Sequence, residues 1–159
     1  MQKFIGVKIV SATPMTREYA ETNHDVVVGG SNHGDGYLVV YDNDYKSWSP
    51  KAVFDAAYRP TNRMSFGLAI EAAKLGKKIA RKGWNGKNMW VVLMPALKLP
   101  PFSCQEPGAK VNDRTAKHIG PDTPLDSQPY FAMWTALGQW QPGWLASQAD
   151  MLAEDWQVV

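Results

Sequence analysis

The chain has 159 residues, 45% of them hydrophobic and 20% charged, with a formal net charge of +2. That length suits one ordinary domain or two small ones with a real core, and it excludes disorder as a global state. The small charge surplus argues against wholesale polyanion binding, and the single cysteine, Cys104, excludes an intrachain disulfide. With neither a leader nor a bilayer-length apolar run in view, the expectation is a soluble, cytoplasmic chain.

In chain order, Lys3 to Val10 is rich in β-formers (Phe4, Ile5, Val7, Ile9, Val10) and predicts a strand, with Pro14 interrupting after it. Thr16 caps a short helix or turn that runs to Glu21. Val26-Val27-Val28 reads as a strand, and Gly29 to Gly36 as a solvated loop. Tyr37 to Tyr41 and Tyr45 to Trp48 form a hairpin around Asp42-Asn43-Asp44. Ser49 and Pro50 open a short helix with Val53, Phe54 and Ala57 on one face. Arg59 to Asn62 is a linker. Residues 1–60 are thus one small β-rich unit with one helix, of a size that seldom stands firmly alone.

The second unit, residues 64–159, opens with the most regular stretch. Ser65 is the N-cap of a helix with Phe66, Ala69, Ile70, Ala73 and Leu75 near one stripe, and Gly76 ends it in the left-handed conformation. Lys74, Lys77 and Lys78 lie at the negative end of its dipole. Ile79 to Arg81 is a short strand, Lys82 to Gly86 a tight basic turn around Trp84, and Met89 to Met94 the next strand. Residues 95–129 are proline-rich and read as a long loop with a short helix in Val111 to Ile119. Pro129 to Trp134 pairs with a strand that begins at Trp140. Ser147 caps a helix running through Glu154, and Trp156 to Val159 closes the sheet. The fold class is α+β: two small units, each a mainly antiparallel sheet with one or two short helices.

Catalysis has little to build on. Cys104 lacks a histidine at fixed short spacing, and no Gly-X-Ser-X-Gly elbow occurs. His24, Asp25, His33 and Asp35 lack metal-ligand spacing, so no metal and no cofactor is expected. Asp150 and Glu154, four apart on the predicted last helix, are the best acid–base pair available, though a solvated helix face is the commoner meaning of that spacing. Binding is better served. Arg81, Lys82 and Lys87 flank Trp84, and an indole beside a guanidinium suits a purine ring and its phosphates. The same residues fit a plain hairpin turn with Trp84 as a core anchor. Trp144 follows Pro142-Gly143 on a turn, and Ser147 and Gln148 begin a helix whose first amides either meet an anion or are simply capped. The seven tryptophans serve as stacking faces or as the filling of a small core.

Two separated runs resemble the Thoeris anti-defence two family of phage proteins. One is Phe66-Gly67, Gly76-Lys77-Lys78 and Ala80-Arg81-Lys82-Gly83-Trp84-Asn85-Gly86-Lys87; the other is Trp144 through Trp156. The resemblance covers Met64 to Val159. It implies a sponge rather than an enzyme: a homotetramer in the cytoplasm of the infected bacterium that holds a cyclic nucleotide immune signal at subunit interfaces without cleaving it. The signals implied are glycocyclic ADP-ribose and cyclic oligonucleotides, the latter the messengers of CBASS-type defence. It implies ligand-binding roles for Arg81, Trp84, Asn85, Trp144, Ser147, Gln148 and Asp150, with both tryptophans stacking on the base and Arg81 pairing with phosphate. Neither a membrane nor polymeric nucleic acid is an implied partner. The proline-rich 95–129 stretch and residues 1–60 depart from the family pattern. The rivals are a phosphodiesterase-type enzyme using Asp150 and Glu154, and a nucleic-acid or protein-interaction module around the basic turn, whose binding to a polymer would be strongly salt-dependent.

Overall fold

A continuous apolar run, Tyr37 to Val40, makes Asp35–Val40 (β2) the central strand of the first unit, between β1 (Ser11–Thr16) and β3 (Lys46–Pro50), both antiparallel to it. Leu38 and Trp48, paired across β2 and β3, face the core together with Ala20 of helix α1 (Arg17–His24) and with Val26. On the opposite face Tyr37 stacks on Phe54 of helix α2 (Lys51–Ala57) at 4.2 Å, and Phe54 stacks on Tyr58 at 4.7 Å. Trp48 closes over Gly36: a Cβ there would lie 2.4 Å from its ring and from the Ser49 carbonyl oxygen.

The computed structural model describes residue 2, residues 7–31 and residues 33–159, and the chain divides into two compact units, Met1–Met64 and Ser65–Val159. No helix among the described residues is long and apolar enough to cross a membrane.

Several local expectations shift. Of the strand expected at Lys3 to Val10, Lys3 to Gly6 lie outside the described residues, and Val7 to Val10 are not in a strand. The strand instead starts at Ser11 and includes Pro14. The hydrogen-bond phase of β1 turns the amide position of Pro14 to the open edge, where a missing N–H costs no ladder bond. Val26 to Val28 form no ladder either. Val26 is buried and Val27 is 98% exposed, so the segment alternates in and out like a strand, while the Arg17 guanidinium donates to the Val28 and Gly30 carbonyls at 2.6 and 2.7 Å. Thr16 caps α1 as expected, accepting from the Tyr19 amide. Pro50 ends β3 and occupies the N-cap of α2, so that helix begins one residue later than its sequence suggests.

The second unit is built on a five-stranded antiparallel sheet. Its order is β10 (Trp156–Val158), β4 (Ile79–Arg81), β5 (Trp90–Met94), β8 (Tyr130–Trp134), β9 (Trp140–Pro142). Helix α3 (Phe66–Lys74) packs on one face, burying Ala69, Ala72 and Ala73 against the side that carries Ile79, Val91 and Met133 in register. The small alanine stripe lets the helix approach closely. Leu75, expected on that stripe, is the C-cap and is exposed; Gly76 follows with φ +77, the left-handed conformation expected of it. The stretch read as a loop contains a two-stranded hairpin of β6 (Leu97–Leu99) and β7 (Leu125–Ser127) and helix α4 (Asp113–Ile119) between them, with Val111 fully buried. With α5 (Gln148–Met151) this unit has three short helices among its described residues, at the three segments read as helical, and the first has two, within the one or two expected of each unit. The α+β class with antiparallel sheets stands.

Gly36→Ala should therefore destabilise the first unit by about 1–3 kcal/mol, the cost of overpacking a filled core. Denaturant titration, with amide exchange at Leu38 and Trp48 as the local reporter, measures it; unchanged protection there would contradict the close packing of Trp48 on Gly36.

Candidate functional site

The register of β4 against β10 puts Arg81 opposite Trp156 on the helix-covered face. Trp156 is fully buried and packs against Phe66 of α3 at 5.2 Å. Immediately after β4 the chain turns, and Trp84 meets Trp156 edge-on at 5.4 Å. From the other side Trp144, which follows Gly143 (φ +75), donates its amide to the Phe131 carbonyl and reaches both rings, 6.0 Å from Trp84 and 6.2 Å from Trp156. Three indoles thus converge edge-to-face, an arrangement that suits the ring quadrupoles. Trp84 and Trp144 are each half-buried.

Polar groups hold the rings. Arg81 donates from Nε to Asp155 Oδ1 at 2.8 Å and from Nη1 to Asp150 Oδ1 at 2.9 Å, and Nη1 also lies 3.2 Å from the Ala149 carbonyl oxygen. Asp150 Oδ1 accepts from the Trp84 indole N–H at 3.1 Å, and the Asp150 main-chain carbonyl accepts from that of Trp156 at 2.9 Å. Asp150 Oδ2 takes the Ser147 amide and hydroxyl, while the Ser147 Oγ accepts from the Asp150 amide; Ser147 and Asp150 form a capping box around the four-residue α5. Asp155 Oδ2 accepts from the Gly83 amide at 2.6 Å, and its carbonyl accepts from Lys82. A Cβ at position 83 would lie 2.7 Å from that carboxylate oxygen, so only glycine lets the turn close on Asp155.

The charges follow this geometry. Burial pushes the Asp150 carboxyl up, but hydrogen bonds from Ser147, Arg81 and Trp84 outweigh it and hold the group at about 2. The Arg81 hydrogen bond lowers Asp155 likewise, and the two carboxylates raise Arg81.

Of the residues singled out from sequence, Arg81, Trp84, Trp144, Ser147 and Asp150 come together in this one assembly. Asn85 and Gln148 are exposed beside it and make no side-chain hydrogen bond among the described residues. Lys82 and Lys87 are exposed on the same turn. The pairing of Asp150 with Glu154 does not form: α5 ends at Met151, and Asp150 is committed to Arg81, Ser147 and Trp84. At the start of α5 the capping box takes up the Ser147 and Asp150 amides. Sequence reasoning missed Asp155 and Trp156 as parts of the assembly, although both lie in the second matching run. The available signal was the spacing of the Asp-Trp pair from Asp150, which carries Trp156 one strand beyond the cap.

Arg81→Met leaves two carboxylates facing each other with no cation and should cost the second unit about 2–4 kcal/mol, since breaking a largely buried pair is expensive. Thermal unfolding of the variant reads this directly. Because Asp150 titrates below its usual 3.8, its contribution is complete above that value and is lost as pH falls through about 2. Parent stability should drop by about 1–2 kcal/mol more than that of Asp150→Asn across that window. Parallel pH profiles of the two proteins would refute the assignment.

A family model described as a Thoeris anti-defense 2-like domain (Tad2-like) matches residues 64–159. Thoeris anti-defense 2 of Bacillus phage SP01 is 33% identical over 97 residues, covering 61% of this chain and 96% of that protein. The matched region is the unit that carries the tryptophan assembly, while residues 1–63 lie outside it. On this evidence the chain belongs to the Thoeris anti-defense 2-like family, and that membership supports a phage anti-defence role.

Proposed function

We propose that the second unit is a sponge: it binds a cyclic nucleotide immune signal of the infected bacterium, glycocyclic ADP-ribose or a cyclic oligonucleotide, and holds it intact. The observation that carries this reading is the pair of partly exposed tryptophans, Trp84 and Trp144, packed on buried Trp156, with the Trp84 indole anchored by Asp150. Flat rings held rigid before the ligand arrives lose little entropy on stacking, and base stacking on an aromatic is worth about 1–3 kcal/mol per base. Asn85 and Gln148 supply uncommitted amides beside the rings, and Lys82 and Lys87 supply cations for phosphate. In this arrangement Arg81 acts through Asp150 and Asp155, setting the rings, and phosphate pairing falls to the two lysines. The proposal includes a homotetramer acting in the host cytoplasm and no turnover of the signal, since sequestration requires affinity and abundance only.

Isothermal titration of the full chain against glycocyclic ADP-ribose isomers, cyclic di- and trinucleotides and linear ADP-ribose tests it, with ligand recovered and analysed afterwards. One cyclic signal should bind tightly and return unchanged. Trp84→Ala and Trp144→Ala should each weaken it about 10- to 100-fold. Recovery of a cleaved product, or equal binding by both variants, would sink the reading.

A further inference from the structure

The first unit carries a cleft that the sponge does not use. Its volume is about 420 Å³, inside the range of about 300–1,000 Å³ common to small-ligand sites. Two segments line it: Asp25, Val27 and Val28 from the stretch after α1, and Lys46, Trp48 and Pro50 from β3.

Both segments are held in place by the protein itself. Asp25 leaves α1 in the left-handed conformation, φ 54, which aspartate adopts more readily than most residues. The Arg17 guanidinium donates to the Val28 carbonyl at 2.6 Å and to the Gly30 carbonyl at 2.7 Å, which fixes the stretch that follows. On the other segment, β3 is paired along its length with β2, and the Trp48 indole N–H donates to the Met15 carbonyl at 3.2 Å. Walls fixed in advance cost little entropy when a ligand binds.

The lining is mixed in character. Val27, Val28, Trp48 and Pro50 are apolar, and Val27 is 98% exposed, with almost none of its surface covered by the described residues. Asp25 and Lys46 add one charge of each sign, both exposed to water. They form no ion pair with each other, and neither side chain has a hydrogen bond or ion pair with any described residue. A simple anion entering the cleft would meet Asp25 as well as Lys46, and a simple cation would meet Lys46 as well as Asp25. A neutral guest would leave both charges unanswered. Only a molecule with both signs gives each its complement.

We propose that this cleft binds a small zwitterion with an apolar body, its ammonium on Asp25, its carboxylate on Lys46 and its body against Val27, Val28 and Trp48. A free amino acid has this chemistry when its side chain is apolar or when a methylene chain separates its two charged ends. Charge-assisted hydrogen bonds at the two ends set the orientation, and the apolar lining sets the preference among bodies.

The test is isothermal titration of the full-length chain with leucine, phenylalanine and ω-amino acids of increasing length, each beside its N-acetyl and amide derivatives. At least one free zwitterion should bind, and both of its derivatives should bind about tenfold more weakly or worse. An α-amino acid as the best binder places the two charges close together, and an ω-amino acid places them further apart. Asp25→Asn, which suits the left-handed conformation equally well, should weaken the free form to the level of the N-acetyl form and erase the discrimination between them. Lys46→Gln should erase the discrimination against the amide instead. A general disturbance of the unit would not divide the two losses in this way. No binding by any zwitterion, derivatives that bind as well as the free form, or variants that keep the parent's discrimination would each overturn the proposal.

Discussion

The second unit depends on one ionic arrangement: the Arg81 guanidinium held between the carboxylates of Asp150 and Asp155. Arg81 ends strand β4, Asp150 sits in the last helix, and Asp155 lies just before the closing strand. One planar cation thus ties three elements that are distant in sequence. The arrangement satisfies the conditions under which burying charge is tolerable. Each carboxylate oxygen accepts a hydrogen bond, and the donors include a main-chain amide at Gly83 and another at Ser147. Trp84 then has little freedom, because its turn is closed on Asp155 and its indole on Asp150.

Much of the fold is legible in the sequence, and the exceptions have physical causes. Helix α3, strand β4 and the turn after it can be read because the alanine stripe, the glycine stop and the basic turn all point to the same local structure. The strand at Ser11–Thr16 is hidden by Pro14, which is an obstacle only if the strand is taken as internal; edge position is a tertiary fact. Val26 to Val28 have the residues of a strand and the alternation of one, but no paired neighbour among the described residues. Propensity cannot report the missing neighbour. The candidate site is legible in its rings and obscure in its charges. A sequence shows Arg81 beside Trp84; it does not show that the cation already has two partners 69 and 74 residues away.

The six tryptophans of the second unit separate into two groups. Trp84, Trp144 and Trp156 gather at one end of the helix-covered face. Trp90, Trp134 and Trp140 form a row across β5, β8 and β9 on the other face, with the first two stacked at 5.9 Å and the Lys78 amine 4.3 Å from the centre of the Trp90 ring. Direct cross-strand pairing accounts for the row without any ligand: aromatic residues opposite one another on adjacent strands stabilise a sheet, and a cation over an indole adds to this. The first group has no such register to explain it. Two of its members come from loops and are placed by hydrogen bonds, the costlier way to hold a ring.

Both inner indole N–H groups, of Trp84 and of Trp156, are already bound to Asp150, one through its carboxylate and one through its main-chain carbonyl. Whatever flat molecule meets this assembly finds π surface there, and neither of those two donors. Every nucleobase has such a surface, so under the proposed function the contact would grip adenine, guanine or a pyrimidine on nearly equal terms. Discrimination among them is left to the loosely held amides and amines at the rim, where a single substitution can alter it without disturbing the rings. A sponge built this way, as proposed, would change which signal it holds while the part that holds it stays the same.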